Sequence, residues 1–237
     1  MKNIIVILLI AISFTACKKE TVDGYEGGTG IYFYSIYGDS VNYSFANQVG
    51  IVTTDTIFVD MQANGVLSDQ PREVLVVPAE GTTAVEGTHY KLPKMVLPAN
   101  QYTIRYPVVI YNTADLKTKT ARLVLKVGQS KDLGQGPIGF SNVRGHASYK
   151  INFNNQMIKP DYWLYIQNYF GDYSNVKYKF MIDVLGISYL RPDVNGGTIP
   201  YSDFINFNGT LKNALEAYNA LHGPLLDETG KEVSFPL

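Results

Sequence analysis

Cysteine is nearly absent: the 237 residues contain one, at position 17. A single thiol excludes an internal disulfide, a thiolate zinc site and an iron–sulfur cluster. Histidine is scarce too, with His89, His146 and His222 far apart in the chain. No two of them fall at helical spacing and no H-E-x-x-H run occurs, so neither a metal nor any other cofactor is expected. Neither charge is in excess, since 20 basic residues face 21 acidic ones for a net charge of -1. Without a basic field, nucleic acid is not an expected partner. A G-x-S-x-G nucleophile elbow is missing. Gly134 and Gly136 lack the following helix that would make a phosphate cradle, so Leu133 to Pro137 reads as a loop. What is abundant is apolar and aromatic: 46% hydrophobic, 13% aromatic, 18 tyrosines against one tryptophan. That content excludes global disorder, and the tyrosine-rich, charge-poor balance suits a β-rich extracytoplasmic protein.

The first residues read as an address. Lys2 precedes an apolar run from Ile4 to Ile12, too short for a bilayer core that needs roughly 20 residues. Phe14, Thr15 and Ala16 then lead into Cys17. Small residues before a cleavage point mark a secretory signal, and the cysteine directly behind them resembles the lipobox of bacterial lipoproteins. The resemblance implies cleavage after residue 16, lipidation of Cys17 and a membrane anchor. Lys18 at the next position implies outer-membrane rather than inner-membrane residence. Lys18, Lys19, Glu20, Asp23 and Glu26 resemble the charged stretch of surface-exposed lipoproteins of the Bacteroidetes. Residues 17–30 are glycine-rich and read as a tether.

From Ile31 to Phe153 the pattern is short strand-like runs between Gly, Pro and Asn. Residues 31–34, 56–61, 73–77, 103–110, 121–127 and 146–153 are the candidates, and alternation is clearest where Leu123, Leu125 and Val127 face away from Arg122 and Lys126. No helical period of useful length interrupts them. This predicts an antiparallel, immunoglobulin-like sandwich over residues 31–153. Within it, Glu86, Gly87, His89 and Tyr90, then Pro98, Ala99, Asn100 and Gln101 before the run 104–110, resemble the "EGxDY … PAGQ" signature of Calx-beta modules. The resemblance implies their fold. His89 stands where the family has aspartate, and Glu86 alone cannot supply the six to eight oxygens calcium takes, so no calcium site is expected.

Residues 154–237 read as a smaller α/β segment. Pro160 and Gly171 bound a helix carrying Trp163, Ile166 and Phe170 on one face. Residues 173–184 alternate like a strand ending at Gly186. Asn208 to His222 is the strongest helix pattern, with Leu211, Leu215, Tyr218 and Leu221 on one face and Gly223–Pro224 as its stop. Glu232 to Phe235 reads as a final short strand. The run Gly171, Tyr173, Ser174, Lys177, Tyr178, Phe180 and Met181 resembles the "GxYSxxKYxFM" block of Bacteroidetes lipoproteins of the DUF4843 family. With the lipobox and the Calx-beta-like motif, this resemblance reaches over nearly the whole chain. It implies location and architecture, and a setting near glycan-uptake systems.

Sugar rings present apolar C–H faces that stack on Tyr and Trp. Tyr162, Trp163, Tyr165, Tyr169 and Tyr173 crowd together, and the four tyrosines at three- and four-residue spacing form the candidate ligand platform. Ligand contact there would quench Trp163. Tyr32, Tyr34, Tyr37 and Tyr43 form a second aromatic set, read as packing. Asp161, Asp172, Asp183 and Glu216 are the carboxylates a hydrolase would draw on, read instead as cap, turn and solvated-face residues. Ser40 in Asp39–Val41 and Thr56 in Asp55–Ile57 resemble Bacteroidetes O-glycosylation acceptors. The expected function is that of a non-enzymatic envelope lipoprotein, a binding or accessory module for a glycan in polysaccharide acquisition. The alternatives are an assembly component contacting an outer-membrane protein partner, and a weak hydrolase.

Overall fold

The computed structural model describes residues 29–138 and 144–236. The expected leader over residues 1–16 and the lipidation site Cys17 lie outside the described residues. Among the described residues twelve strands come first: β1 (Gly30–Tyr34), β2 (Ser40–Ser44), β3 (Thr54–Asn64), β4 (Arg72–Val74), β5 (Val76–Pro78), β6 (Tyr90–Lys91), β7 (Met95–Leu97), β8 (Thr103–Tyr111), β9 (Ala121–Val127), β10 (Gly134–Gln135), β11 (Gly145–His146) and β12 (Ser148–Asn154). Three α-helices follow: α1 (Trp163–Phe170), α2 (Asn175–Leu185) and α3 (Tyr201–His222).

Two sheets make the sandwich. One has the order β10-β1-β3-β8-β6 with β11 also on β1, and the other the order β2-β12-β9-β5, while β4 and β7 form a separate ribbon. Period-two alternation drives the packing. Val59, Met61 and Ala63 of β3, Tyr106, Val108 and Ile110 of β8, Leu123 and Leu125 of β9, and Ile151 and Phe153 of β12 all point into one shared core. Each large side chain fully buried there contributes about 1.5–3 kcal/mol. The fold is mainly β, as expected, with two pairings that depart from a purely antiparallel sandwich: β2 runs parallel to β12, and β10 parallel to β1. The latter corrects the reading of residues 133–137 as loop. It depends on glycine, because a Cβ on Gly30 would lie 2.4 Å from the Gly136 Cα. A cross-sheet tie runs from Tyr43 of β2, whose hydroxyl donates to the Asp55 carboxylate of β3.

The C-terminal segment is helical rather than α/β. Residues 173–184, read as a strand, instead supply α2. Alternate apolar residues 178, 180, 182 and 184 also satisfy a helix whose inner face is Lys177, Tyr178, Met181 and Ile182. The ends decide between the two readings. Ser174 Oγ accepts the Lys177 amide as N-cap, and Gly186 closes the helix in the left-handed conformation. Residues 232–235 form no strand, only an isolated bridge between Leu226 and Glu232. α3 begins at Tyr201, not at Asn208, and its buried face is Phe204, Leu211 and Leu215, while Leu221 is 80% exposed. A second core gathers Trp163, Ile166 and Phe170 of α1, Tyr178, Met181 and Ile182 of α2, and Phe204, Leu211 and Leu215 of α3. The two parts meet where Lys179 donates to the Gln48 and Gly50 carbonyls at 3.3 and 3.4 Å, and where Asn47 and Ile158 exchange two hydrogen bonds of 3.0 and 3.1 Å.

Burial raises the phenol pKa of Tyr43, Tyr162 and Tyr178, and takes Tyr106 and Tyr173 to about 12. A phenol with a raised folded pKa holds its proton more tightly in the native state. Its stabilising contribution is complete below about 10, the unfolded value, and is lost as pH rises through the folded one. An alkaline titration should therefore show these five tyrosines ionising only with loss of far-ultraviolet circular dichroism. A single smooth tyrosinate curve with the dichroism intact would contradict this burial.

Candidate functional site

The expected tyrosine platform does not assemble on one face. Tyr162 is 2% exposed, and its hydroxyl meets that of Tyr178 at 2.8 Å and accepts the Leu190 amide at 3.0 Å. Trp163 is 1% exposed; its indole donates to the Gly171 carbonyl at 3.2 Å and its ring meets Tyr173 and Tyr178 edge-on. Both are core residues, and a ligand on the surface has no contact with the Trp163 ring. Tyr173 lies beyond α1, half-buried, donating to the Asn175 side chain at 2.8 Å. What remains outward on α1 is Tyr165, 42% exposed, and Tyr169, half-buried one turn on.

Tyr169 is the wall of a groove. A cavity of about 400 Å³ between α1 and α3 is lined by Asn168, Tyr169, Ile205, Asn208, Gly209 and Lys212. Tyr169 is held from behind by Tyr201 and Phe204, with ring centres 6.1 and 5.6 Å away. The Asn208 amide donates to the Tyr169 carbonyl and, at 3.1 Å, to the Pro236 carbonyl. Those two bonds fix the orientation of the carboxamide. An aromatic edge, two carboxamides and an ammonium around a shallow groove can take a ring with hydroxyl groups. Sequence reasoning finds the α1 half and misses the α3 half, because Asn208 before Gly209 has the look of a helix start.

A second groove runs along the junction of sandwich and helices. Cavities of about 360 and 320 Å³ share Met157 and Lys179, the first walled by Val176, Phe180 and Leu225, the second by Phe45, Ile51 and Val52. A third cavity, about 240 Å³, surrounds Lys177, which is only 7% exposed. Its ammonium donates to the Phe170 and Asp172 carbonyls at 3.0 and 2.8 Å. Burial holds its pKa below the usual lysine range, against the opposing pull of Asp172. The Phe170 carbonyl belongs to the last turn of α1, where a cation is favoured, so this lysine staples α1 to the start of α2.

The remaining candidates are committed elsewhere. His89 Nδ1 accepts the Val85 amide at 2.9 Å and Nε2 faces Asp115 Oδ2 at 3.2 Å. With Nδ1 accepting, the proton sits on Nε2 and no ring lone pair is free for base chemistry. The Thr113 hydroxyl, with His89, keeps the Asp115 carboxyl below its ordinary range against desolvation. Asp161 pairs with Arg191 at 3.3 Å and Asp183 with Lys179 at 2.5 Å. Asp172 accepts Gln167 at 3.2 Å, and Glu216 is exposed on α3. Ser40 is exposed at the start of β2, beside an Asp39 paired with Lys150 at 2.9 Å. Thr56 is half-buried in β3, opposite Val109. Among the described residues, no three His, Cys, Asp or Glu side chains cluster as a metal site.

Residues 25–187 match the family model described as "Domain of unknown function (DUF4843)". Among solved structures, the apo form of the Calx CBD1 domain is similar at 13% identity and a TM-score of 0.35, over 55% of this chain and 98% of that one. A protein of unknown function from Bacteroides ovatus is similar at 15% identity and a TM-score of 0.35, over 52% of this chain and 43% of that one. A second Bacteroides ovatus protein of unknown function is similar at 12% identity and a TM-score of 0.35, over 54% of this chain and 47% of that one. The match thus spans less than half the length of either Bacteroides ovatus protein. No curated protein matches the chain.

Proposed function

The chain belongs to the DUF4843 family, and from that premise we propose that it is a non-enzymatic, lipid-anchored binding module of the Bacteroidetes outer membrane. Its ligand is a glycan, taken in the course of polysaccharide acquisition. The single observation that carries the reading is the groove in which Tyr169 stands between Asn168 and Asn208. Anchoring rests on the leader pattern and Cys17. A diacylated cysteine holds stably where a single chain holds marginally, and the tether keeps the folded part off the membrane. Two observations weigh against a hydrolytic reading. Among the described residues no carboxylate lines the groove, and Asp161 and Asp183 are held in ion pairs away from it.

Affinity electrophoresis through polysaccharide gels tests this. Tyr169→Ala should lose about tenfold in affinity, the equivalent of ~1.4 kcal/mol, Tyr165→Ala less, and Trp163→Phe nothing. Equal retention of wild type and Tyr169→Ala by every polysaccharide that binds would remove the groove from consideration. The second reading, an assembly component, is favoured by the apolar junction groove and by Leu164 and Ile205, 75% and 66% exposed on the helices. It predicts no sugar response and co-purification with an outer-membrane protein.

A further inference from the structure

Three features of the α1–α3 groove narrow what it takes. Lys212 lines it half-buried, and none of the ion pairs among the described residues includes this ammonium. No described Asp or Glu lines the groove, and Glu216, one helical turn along, is exposed and forms no ion pair with Lys212. The groove is thus a positive site without an internal counter-ion, in a protein whose overall charge is nearly balanced.

Gly209 is the second feature. It sits inside the 22-residue helix α3, where glycine is a poor helix former. Packing does not demand it: a Cβ built there would meet no heavy atom within 4 Å. Its φ is not in the left-handed region either. The helix carries the cost of a glycine on the floor of a groove where a larger residue would fit. A bare backbone there lets an occupant approach more closely than a side chain would. The Asn208 carboxamide is the third feature: it lines the groove with its amide nitrogen held by two carbonyls, which fixes its orientation.

We propose that the groove binds an acidic sugar, a uronate residue of a polysaccharide, with its ring over Gly209 and against Tyr169, its hydroxyls on Asn168 and Asn208, and its carboxylate on Lys212. This rests on the glycan reading above and names the ligand class within it. A carboxylate on a lysine gives a charge-assisted hydrogen bond, and the partial burial of Lys212 protects that bond from screening by salt.

The test uses the full chain in gels containing polygalacturonate or alginate, with fully methyl-esterified polygalacturonate as the neutral counterpart. The wild type should be retarded by at least one free acid and not by the ester. Lys212→Gln should weaken that binding about tenfold and Lys212→Arg should largely restore it. Gly209→Ala should raise the thermal midpoint by about 2–4 °C while weakening binding, a combination that a merely structural glycine does not give. Equal affinity for acid and ester overturns the acidic class and leaves glycan binding standing. Retention by neutral polysaccharides alone, lost in Tyr169→Ala, does the same. No retention by any polysaccharide, in a protein with its normal thermal midpoint, overturns both. A Gly209→Ala chain that is stabilised and binds as the wild type does overturns the close approach over the helix.

Discussion

Trp163→Ala should unfold the helical segment while the sandwich stays intact. The side chain is the largest fully buried one, and it ties together three neighbours: the Tyr173 ring, the Tyr178 ring of α2 and the Gly171 carbonyl at the end of α1. Truncating a buried Trp costs about 3–5 kcal/mol, against a total of about 5–15 kcal/mol for an ordinary domain. The second core is the smaller of the two, so the loss takes most of what holds α1, α2 and α3 together. Hydrogen exchange is the measurement. Amides of the three helices should lose protection, and those of β3, β8, β9 and β12 should keep it. Uniform loss along the chain would mean that the two cores unfold as one unit, with the contacts at Asn47 and Lys179 stronger than their exposure implies. Trp163→Phe keeps an aromatic ring in place and should fall well short of this effect.

Lys177→Met should destabilise the same segment by about 2 kcal/mol or more. Methionine fills the space but donates nothing, so the buried Phe170 carbonyl and the part-buried Asp172 carbonyl lose their partner, and an unsatisfied buried group costs about 1–3 kcal/mol. The effect also carries a pH signature. Burial lowers the folded pKa of Lys177 below the ordinary 10.5, so between the two values the unfolded chain binds more protons. Stability contributed through this group is therefore fully present above 10.5 and is lost as pH falls through the folded value. Denaturation curves of wild type and variant should draw apart as pH rises toward about 10, before the tyrosines intervene. A constant difference would mean that the ammonium does not titrate differently in the folded state.

The strands could be read because period two has few competitors. β8 and β9 alternate over seven or more residues, and a single buried face explains each. The helical segment was less legible. Residues 173–184 carry an apolar set that fits both periods, and the choice lies in Ser174 and Gly186, whose capping role only the three-dimensional chain displays. Tyr162 and Trp163 announce aromatic chemistry in the sequence, yet they are core, because a segment built from only three helices needs large rings to fill its centre. Tyr165 and Tyr169 belong to the same cluster and stay outward. The groove could not be found from that cluster alone, since four of its six lining residues are Ile205, Asn208, Gly209 and Lys212, brought alongside α1 only by the turn of the chain through residues 186–200. Gly209 stands out only in the structure, where it lies inside α3 and packing does not demand it.

The parallel pairing of β2 with β12 has a bearing on the order in which the fold closes. Among the described residues strand β2 has no other strand partner: Ser40 pairs with Lys150 and Ser44 with Asn154. During synthesis that strand stays open until position 154 arrives, and pairing over such a separation is slow. The second sheet therefore closes late. Until then the polypeptide keeps an unfinished edge, and the helices fold onto a sandwich that has only just shut.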